Sequence, residues 1–129
     1  MNTFKKRITV ADGDLDDLEH VNNIRYLEWV QEISRAHWDK LSQSRWDGRY
    51  LWVVRSHHIT YHQPALLGQT ILLTTYVPEA RGPISRRKVD MTLEESGRSI
   101  AECLTEWVLL DANTGRATRI PEEIQKVFE

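Results

Sequence analysis

The sequence predicts an α+β protein in which an antiparallel sheet curls around one long central helix. One segment, from about Asn23 to Leu41, has helical periodicity, and four later segments have the composition of strands. Because a single long helix cannot bury its apolar face alone, we expect it to lie on a sheet made by these strands. The length of 129 residues predicts one domain spanning 1–129.

The first elements are a strand and then the long helix. Phe4, Ile8 and Val10 share one face at period two, which is typical of a strand. Asn22 or Asn23 is a suitable N-cap, since its side-chain oxygen can accept a backbone N–H of the first turn. Side chains at three- and four-residue spacing form one broad helical face: Tyr26, Leu27, Val30, Ile33, Ser34, His37, Trp38 and Leu41.

The remaining strands are predicted to form a meander, because short turns favour antiparallel neighbours. Valine, isoleucine, threonine and aromatic residues dominate them. A short terminal helix with Pro121 in its first turn follows. The four predicted strands are Leu51–His62, Thr70–Val77, Ile84–Leu93 and Ser99–Leu110.

The composition argues against several classes of protein. With 17 basic and 19 acidic residues the formal charge is −2, which does not fit a general nucleic-acid binder. No apolar run approaches the roughly 18 residues of a membrane helix, so we expect no membrane partner. The basic N-terminus lacks the apolar stretch of a signal peptide, and one cysteine cannot form an intrachain disulfide. We expect a cytoplasmic protein.

The most polar segment precedes the long helix and places five carboxylates in eight positions, from Asp12 to Glu19. A calcium loop is excluded, because Asp17 replaces the turn glycine and Asn23 replaces the final glutamate. Two interpretations remain. The carboxylates either form a solvated loop that complements the helix dipole, or one of them acts on a carbonyl held by the free amides of the helix N-terminus.

The block Asp14-Leu15-Asp16, followed by His20-Val21-Asn22-Asn23-Ile24-Arg25-Tyr26, resembles the signature of hotdog-fold acyl-CoA and acyl-ACP thioesterases. The similarity is to the 4-hydroxybenzoyl-CoA thioesterase-like branch and to plant fatty acyl-ACP thioesterases. Segments 59–65, 105–109 and 115–123 extend it over nearly the whole chain. The resemblance implies a hotdog fold, hydrolysis of acyl-CoA or acyl-ACP thioesters in fatty acid metabolism, and no cofactor.

The resemblance also implies roles for individual residues. Asp16 matches the catalytic carboxylate, acting as nucleophile or as general base, and the amide of Asn23 matches the group that polarises the thioester carbonyl. His20 matches a catalytic histidine, but Leu18 occupies the position of its asparagine partner, so His20 is either catalytic or structural. Glu19 replaces a glycine, which is expected to alter the turn. Tyr26, the tyrosine of the block, is expected to bind substrate.

A basic cluster, Arg86-Arg87-Lys88, is expected to bind the phosphates of CoA. On a strand Arg86 and Lys88 share one face while Arg87 points to the other. The simpler interpretation is an exposed strand whose charges keep it soluble. Family members often place CoA across such strands near the subunit boundary, which favours the binding role.

The remaining reactive side chains give weaker indications of a functional site. We expect no metal site, because His57 and His58 point to opposite faces of a strand and His62 is too distant to share a zinc with them. Cys103, in mid-strand, is expected to pack rather than react. The tryptophans Trp29, Trp38 and Trp52 either belong to the core or line an acyl or aryl pocket.

The length of the chain makes one hotdog unit, and in related proteins two subunits complete the site. We therefore expect a homodimer, with a tetramer as a further assembly that the resemblance allows. The leading function is a thioesterase. The alternatives are a non-catalytic hotdog protein that binds acyl thioesters, and a hotdog dehydratase or hydratase, whose sequence pattern this block does not resemble.

Overall fold

The computed structural model describes residues 1–129, and its elements follow the predicted order of strand, long helix and four strands. This confirms the α+β class. The strands are β1 (Phe4–Thr9), β2 (Tyr50–Tyr61), β3 (Thr70–Arg81), β4 (Ile84–Leu93) and β5 (Ser99–Asp111), and the helices are α1 (Asn23–Ser42) and α2 (Glu122–Val127).

The five strands form one antiparallel sheet in the spatial order β1-β3-β4-β5-β2. Strands β3, β4 and β5 form the predicted meander, but the prediction is wrong for β2, which pairs with β5. The reason lies in the connection between β2 and β3, which is not a hairpin turn. Ala65 in this connection is fully buried, and its carbonyl accepts the Val21 N–H at 3.0 Å. The chain thus packs against the start of α1 before it reaches the other side of the sheet, which wraps the helix in the hotdog manner.

Strand β3 continues past the predicted end at Val77 because it tolerates a proline. The β3–β4 register shifts between Tyr76 and Glu79, and Pro78 lies inside that irregularity. Proline lacks the N–H that the ladder requires and is accommodated at such bulges. The hairpin then closes at Gly82, whose φ of 59° is easily adopted by a residue without a side chain.

Helix α1 is defined at both ends by its flanking residues. The side chain of Asn22 caps the N-terminus by accepting the Ile24 N–H at 3.0 Å. The last turn ends at Gln43 in the left-handed conformation, with φ 49°. The predicted apolar face is buried except for Leu27, Trp38 and Leu41, which are partly buried, and Trp29, just outside it, is buried at 1% exposure.

The buried side chains form two clusters along α1. The larger cluster surrounds the N-terminal half of the helix and contains Tyr26, Trp29, Val30 and Ile33. The smaller cluster holds Trp46, Ile124 and Phe128 and packs against the C-terminal half. No helix in the structure has both the length and the apolar composition needed to cross a membrane. The polar loop before α1 lies at the end of the larger cluster.

Candidate active site

The loop between β1 and α1 is held in a tight turn by Asp16. Its backbone N–H donates to the His20 carbonyl at 2.7 Å. Its carboxylate oxygen Oδ1 accepts the N–H groups of Leu18 at 2.9 Å and of His20 at 3.1 Å. The other carboxylate oxygen, Oδ2, has no hydrogen-bond partner within the chain, and the side chain is exposed. The turn therefore fixes the carboxyl group while it leaves one oxygen available.

Asp14, the other aspartate of the motif, has a structural role. Its side chain is 12% exposed and accepts the Ala11 N–H at 2.8 Å and the Arg25 Nε–H at 2.8 Å. Its carbonyl accepts the Asn22 N–H at 2.9 Å. The hydrogen bond to Asp14 raises the pKa of the Arg25 guanidinium, and Coulomb attraction to that carboxylate adds to the effect. Both ends of the loop are thereby tied to the first turns of α1.

The backbone N–H of Asn23, the first residue of α1, is unpaired. The Ile24 N–H is taken by the Asn22 side chain and the Arg25 N–H by the Asn22 carbonyl, but the N–H of Asn23 has no acceptor within the chain. It lies at the positive end of a 20-residue helix. An amide in this position can stabilise negative charge on a carbonyl oxygen.

The Asp16 turn and the start of α1 are adjacent because Leu15 and Val21 form a β-bridge. Glu19 makes this possible by adopting φ 62°, a left-handed conformation that suits glycine. The turn forms with a glutamate in this strained conformation. That Glu19 alters the turn relative to glycine stays a prediction. His20 bridges to Leu66 through its backbone, and its half-buried imidazole has no hydrogen bond within the chain.

Tyr61 adds a group that sequence reasoning did not assign. Its hydroxyl donates to the Asn23 carbonyl at 3.3 Å, across 38 residues of sequence, from the end of β2. Its ring lies 5.6 Å from that of Tyr26. Burial is the main cause that raises the pKa of the Tyr61 hydroxyl. The only signal in the sequence is its place in segment 59–65 of the resemblance, which assigns it no role.

Apolar side chains surround this loop and the helix start while remaining exposed. Leu18 is 74% exposed and Ile24 is 68% exposed, and Leu66, Leu67 and Tyr61 also retain large exposed fractions. Exposed apolar clusters of this kind mark surfaces that bind an apolar ligand or another protein chain. We call Leu18, Ile24 and Leu66 the apolar rim.

Tyr26 lies in the core rather than on the expected substrate surface. It is 2% exposed, and its hydroxyl accepts the Ala65 N–H at 3.2 Å. Burial raises the pKa of this phenol, so it stays neutral. In the isolated chain Tyr26 therefore positions the connection between β2 and β3 beside the Asp16 turn.

The structure does not bring the three basic residues of β4 together. Arg86 is exposed and lies 3.2 Å from Glu106 and 3.5 Å from Glu79. Lys88 lies 3.5 Å from Glu102 on the same face. Arg87 points the other way and is 4% exposed beneath α1. The predicted alternation of faces is confirmed, and it separates Arg87 from the surface where CoA phosphates were expected.

The structure does not gather the other candidate residues into one site either. The side chain of His57 turns inward and lies 2.8 Å from the Thr105 hydroxyl, whereas His58 is exposed, as the strand alternation predicts. No group of three histidine, cysteine or acidic side chains is placed to hold a metal ion. Cys103 is fully buried, and burial raises the pKa of its thiol. Trp29 belongs to the core.

Comparison with known proteins finds similarity to thioesterases. Residues 10–128 match the family model of the thioesterase-like superfamily. The long-chain acyl-CoA thioesterase FadM of Escherichia coli K12 is 31% identical over 98% of this chain and 97% of its own length.

Solved structures with the same fold include the YbaW probable thioesterase of Escherichia coli. It has a TM-score of 0.84 and 30% identity, over 95% of this chain and 94% of its own. SAV2348 of Staphylococcus aureus, solved in complex with CoA, has a TM-score of 0.86 and 19% identity, over 98% of this chain and 81% of its own.

Proposed function

This chain belongs to the thioesterase-like superfamily, and on that premise we propose that it hydrolyses acyl-CoA thioesters to the free acid and CoA. It is a thioester hydrolase. The name of its FadM relative supports CoA as the carrier and a long acyl chain. The single observation that carries the proposal is the free Asp16 Oδ2 in a turn that the Leu15–Val21 bridge joins to the start of α1, where the N–H of Asn23 is unpaired.

In the proposed reaction the thioester carbonyl oxygen accepts the Asn23 N–H, and the helix dipole stabilises the charge that develops there. Asp16 Oδ2 then acts in one of two ways. As a nucleophile it bonds to the carbonyl carbon, the CoA thiolate leaves, and water hydrolyses the resulting anhydride. As a general base it takes a proton from a water whose oxygen attacks the same carbon. Both routes release the thiol.

His20 and Tyr26 complete the proposed site in different ways. The His20 imidazole lies on the loop without a hydrogen bond in the chain, which leaves it available to the thioester or to the departing thiolate. Tyr26 is proposed to bind substrate only through the loop that it positions. Replacing His20 with glutamine keeps the backbone contacts to Asp16, so a loss of kcat in a folded H20Q variant would assign the imidazole to the reaction.

Arg86 and Lys88 are proposed to bind the phosphates of CoA. Their present carboxylate partners lie partly exposed at the surface, and such surface ion pairs contribute at most about 1 kcal/mol, so a phosphate can displace them. Arg86→Glu is expected to raise KM for acyl-CoA with little change in kcat, and Arg116→Glu, in a distant exposed turn, is the control. An unchanged KM would remove Arg86 from the binding surface.

We propose that the active form is a homodimer joined at β2. The other edge strand, β1, is short and carries Lys5, Lys6 and Arg7, which discourages strand pairing. Strand β2 spans 12 residues and exposes Leu51 and Val53. A partner on this edge would help cover the apolar rim, and a tetramer would pair two such dimers.

Sedimentation velocity at assay concentration is expected to give a dimer. Val53→Lys on β2 should lower the dimer fraction and thiol release together, whereas Lys6→Glu on β1 should change neither. An active monomer would contradict the assembly.

The function itself is tested by thiol release from acyl-CoAs of graded chain length and from aroyl-CoAs. We expect turnover that increases toward long acyl chains. Saturable binding of these thioesters without release of thiol would instead identify a non-catalytic binding protein. Addition of water to an enoyl-CoA would identify a hydratase.

A further inference from the structure

A cavity of about 270 Å³ opens between the C-terminal half of α1 and the sheet. Ser34 of its wall lies eleven residues along α1 from Asn23, which places the cavity about 17 Å from the helix N-terminus. It is large enough for a benzoate-sized molecule, since it holds the equivalent of about nine waters. It is therefore distinct from the Asp16 site.

The cavity contains a buried cation without a counter-charge. Arg87 is 4% exposed, and its only hydrogen bonds join Nη1 to His37 Nδ1 at 2.8 Å and to the Thr75 hydroxyl at 3.0 Å. No carboxylate lies within ion-pair distance of the guanidinium. Its Nε and Nη2 have no partner in the chain and remain in contact with solvent. A buried charge in this state is costly unless something else pairs with it.

His37 does not supply the missing negative charge. Burial, reinforced by Arg87 and Lys40, lowers the pKa of His37 to about 4, so the ring is neutral at physiological pH. Its Nδ1 accepts from Arg87, and its Nε2 lies 2.9 Å from the Asn2 side-chain oxygen, to which it donates. Burial lowers the pKa of Arg87 to about 10, which still leaves the guanidinium charged.

Trp107 lines the same cavity and carries a second donor without a partner. The indole N–H of Trp107 is buried and has no hydrogen-bond partner, and it is the only such side-chain nitrogen or oxygen in the chain. Strand register pairs Trp107 with Ser85, two residues from Arg87 on the same face of β4. Such diagonal neighbours lie about 7–8 Å apart, so the two side chains border the same part of the cavity.

Several aromatic side chains line the rest of the wall. Trp38 and Trp52 line the cavity, and Phe128 lies under the Arg87 guanidinium, 5.5 Å from its ring centroid. These rings can enclose an apolar body while the two donors take an anionic end. Asp39 and Arg35 stand at the exposed rim and do not neutralise Arg87.

We propose that this cavity binds a carboxylate carried on an apolar aryl or alkyl body, with the carboxylate held by Arg87 and the Trp107 indole N–H. Binding of a free acid here requires no thioester chemistry, whereas binding of the far end of an acyl group rests on the proposed function. The carboxylate has two potential sources. It belongs either to a free organic acid or to the far end of an acyl group whose thioester lies at Asp16.

Direct binding is tested by calorimetric titration with benzoate and with neutral benzamide. We expect saturable binding of benzoate and at least tenfold weaker binding of benzamide. Trp107→Phe keeps the ring and deletes the N–H, so benzoate affinity should fall roughly tenfold. Trp29→Phe, in the core beside Arg25, is the matched control and should leave it unchanged. Arg87→Met should abolish binding, and Trp107→Phe keeps the test valid if Arg87→Met does not fold.

The source is resolved with two acyl-CoAs of equal chain length, one ending in a methyl group and one in a carboxylate. If wild type prefers the carboxylate-ended thioester and Trp107→Phe loses that preference, the ligand is the substrate's own far end. If there is no preference while benzoate binds, the ligand is a free acid. Equal binding of benzoate and benzamide, unchanged affinity in Trp107→Phe, or no binding at all would overturn the proposal.

Discussion

Asp16 Oδ1 accepts the backbone N–H of His20 at 3.1 Å, while the Asp16 N–H donates to the His20 carbonyl at 2.7 Å. This reciprocal pairing orients one carboxylate oxygen toward the loop and leaves the other free. Asp16 and His20 thus share a structural role that uses the His20 backbone and does not involve its imidazole. The proposed chemistry thus depends on a turn that is formed before substrate arrives.

The turn depends in part on Asp14. Arg25 and the Ala11 N–H both donate to the Asp14 carboxylate. In Asp14→Asn the side-chain NH₂ replaces one of the two accepting oxygens, so one of these donors faces another donor. We expect the free energy of unfolding to fall by roughly 1–3 kcal/mol. Urea denaturation measures the change. Asp12→Asn, at an exposed position without side-chain hydrogen bonds, is the control, and equal stability of the two variants would contradict the structural role of Asp14.

Glu19 stores backbone strain in the same turn, at φ 62°. Glycine adopts this conformation without a side-chain clash, so Glu19→Gly is expected to raise the free energy of unfolding by up to about 1 kcal/mol. Asp17→Gly, at a neighbouring position without positive φ, should lower it by a comparable amount. Chemical denaturation of both variants checks this. If Glu19→Gly lowers the free energy of unfolding as much as Asp17→Gly does, the positive φ at Glu19 does not destabilise the folded chain.

His37 makes stability depend on pH. Its folded-state pKa of about 4 lies below the value of about 6.5 in an unfolded chain. The unfolded chain therefore takes up a proton that the folded chain does not. The stabilisation that neutral His37 gives the folded chain is present above pH 6.5 and is lost as the pH falls toward 4, by roughly 2–3 kcal/mol at pH 4.5.

His37→Gln keeps an acceptor for Arg87 and a donor for Asn2 but does not titrate in this range. The difference in unfolding free energy between wild type and this variant should therefore shrink or reverse between pH 7.5 and 4.5. Denaturation curves at the two pH values measure it. Parallel pH profiles for the two proteins would refute the assignment to His37.

Local patterns in the sequence predict the elements well. The spacing of apolar residues sets α1 to within one residue, and the alternation along β4 correctly directs Arg86 and Lys88 away from Arg87. The neighbour of β2 is not predictable in this way, because strand pairing is decided by contacts between distant segments. Here the buried contact of Ala65 with Val21 leads the chain away from β2.

In the site, too, features within one motif are predictable from the sequence, whereas contacts between distant segments are not. Asp16 and Asn23 lie within one short motif, so the sequence itself places them in one loop and the helix start that follows it. Tyr61 reaches Asn23 only because the sheet wraps around α1, and no local pattern encodes that contact. The pairing of Arg87 with His37 and its nearness to Trp107 likewise depend on three separate elements.

The most direct test of the account is thiol release by Asp16→Asn. The asparagine side-chain oxygen can still accept the N–H groups of Leu18 and His20, so the turn should persist and thermal stability should change little. The substitution removes the free carboxylate oxygen, and we expect kcat for acyl-CoA to fall by about 10²–10⁴-fold. Asp17→Asn, the matched control, should retain wild-type turnover. A folded Asp16→Asn enzyme with undiminished thiol release would contradict the central claim.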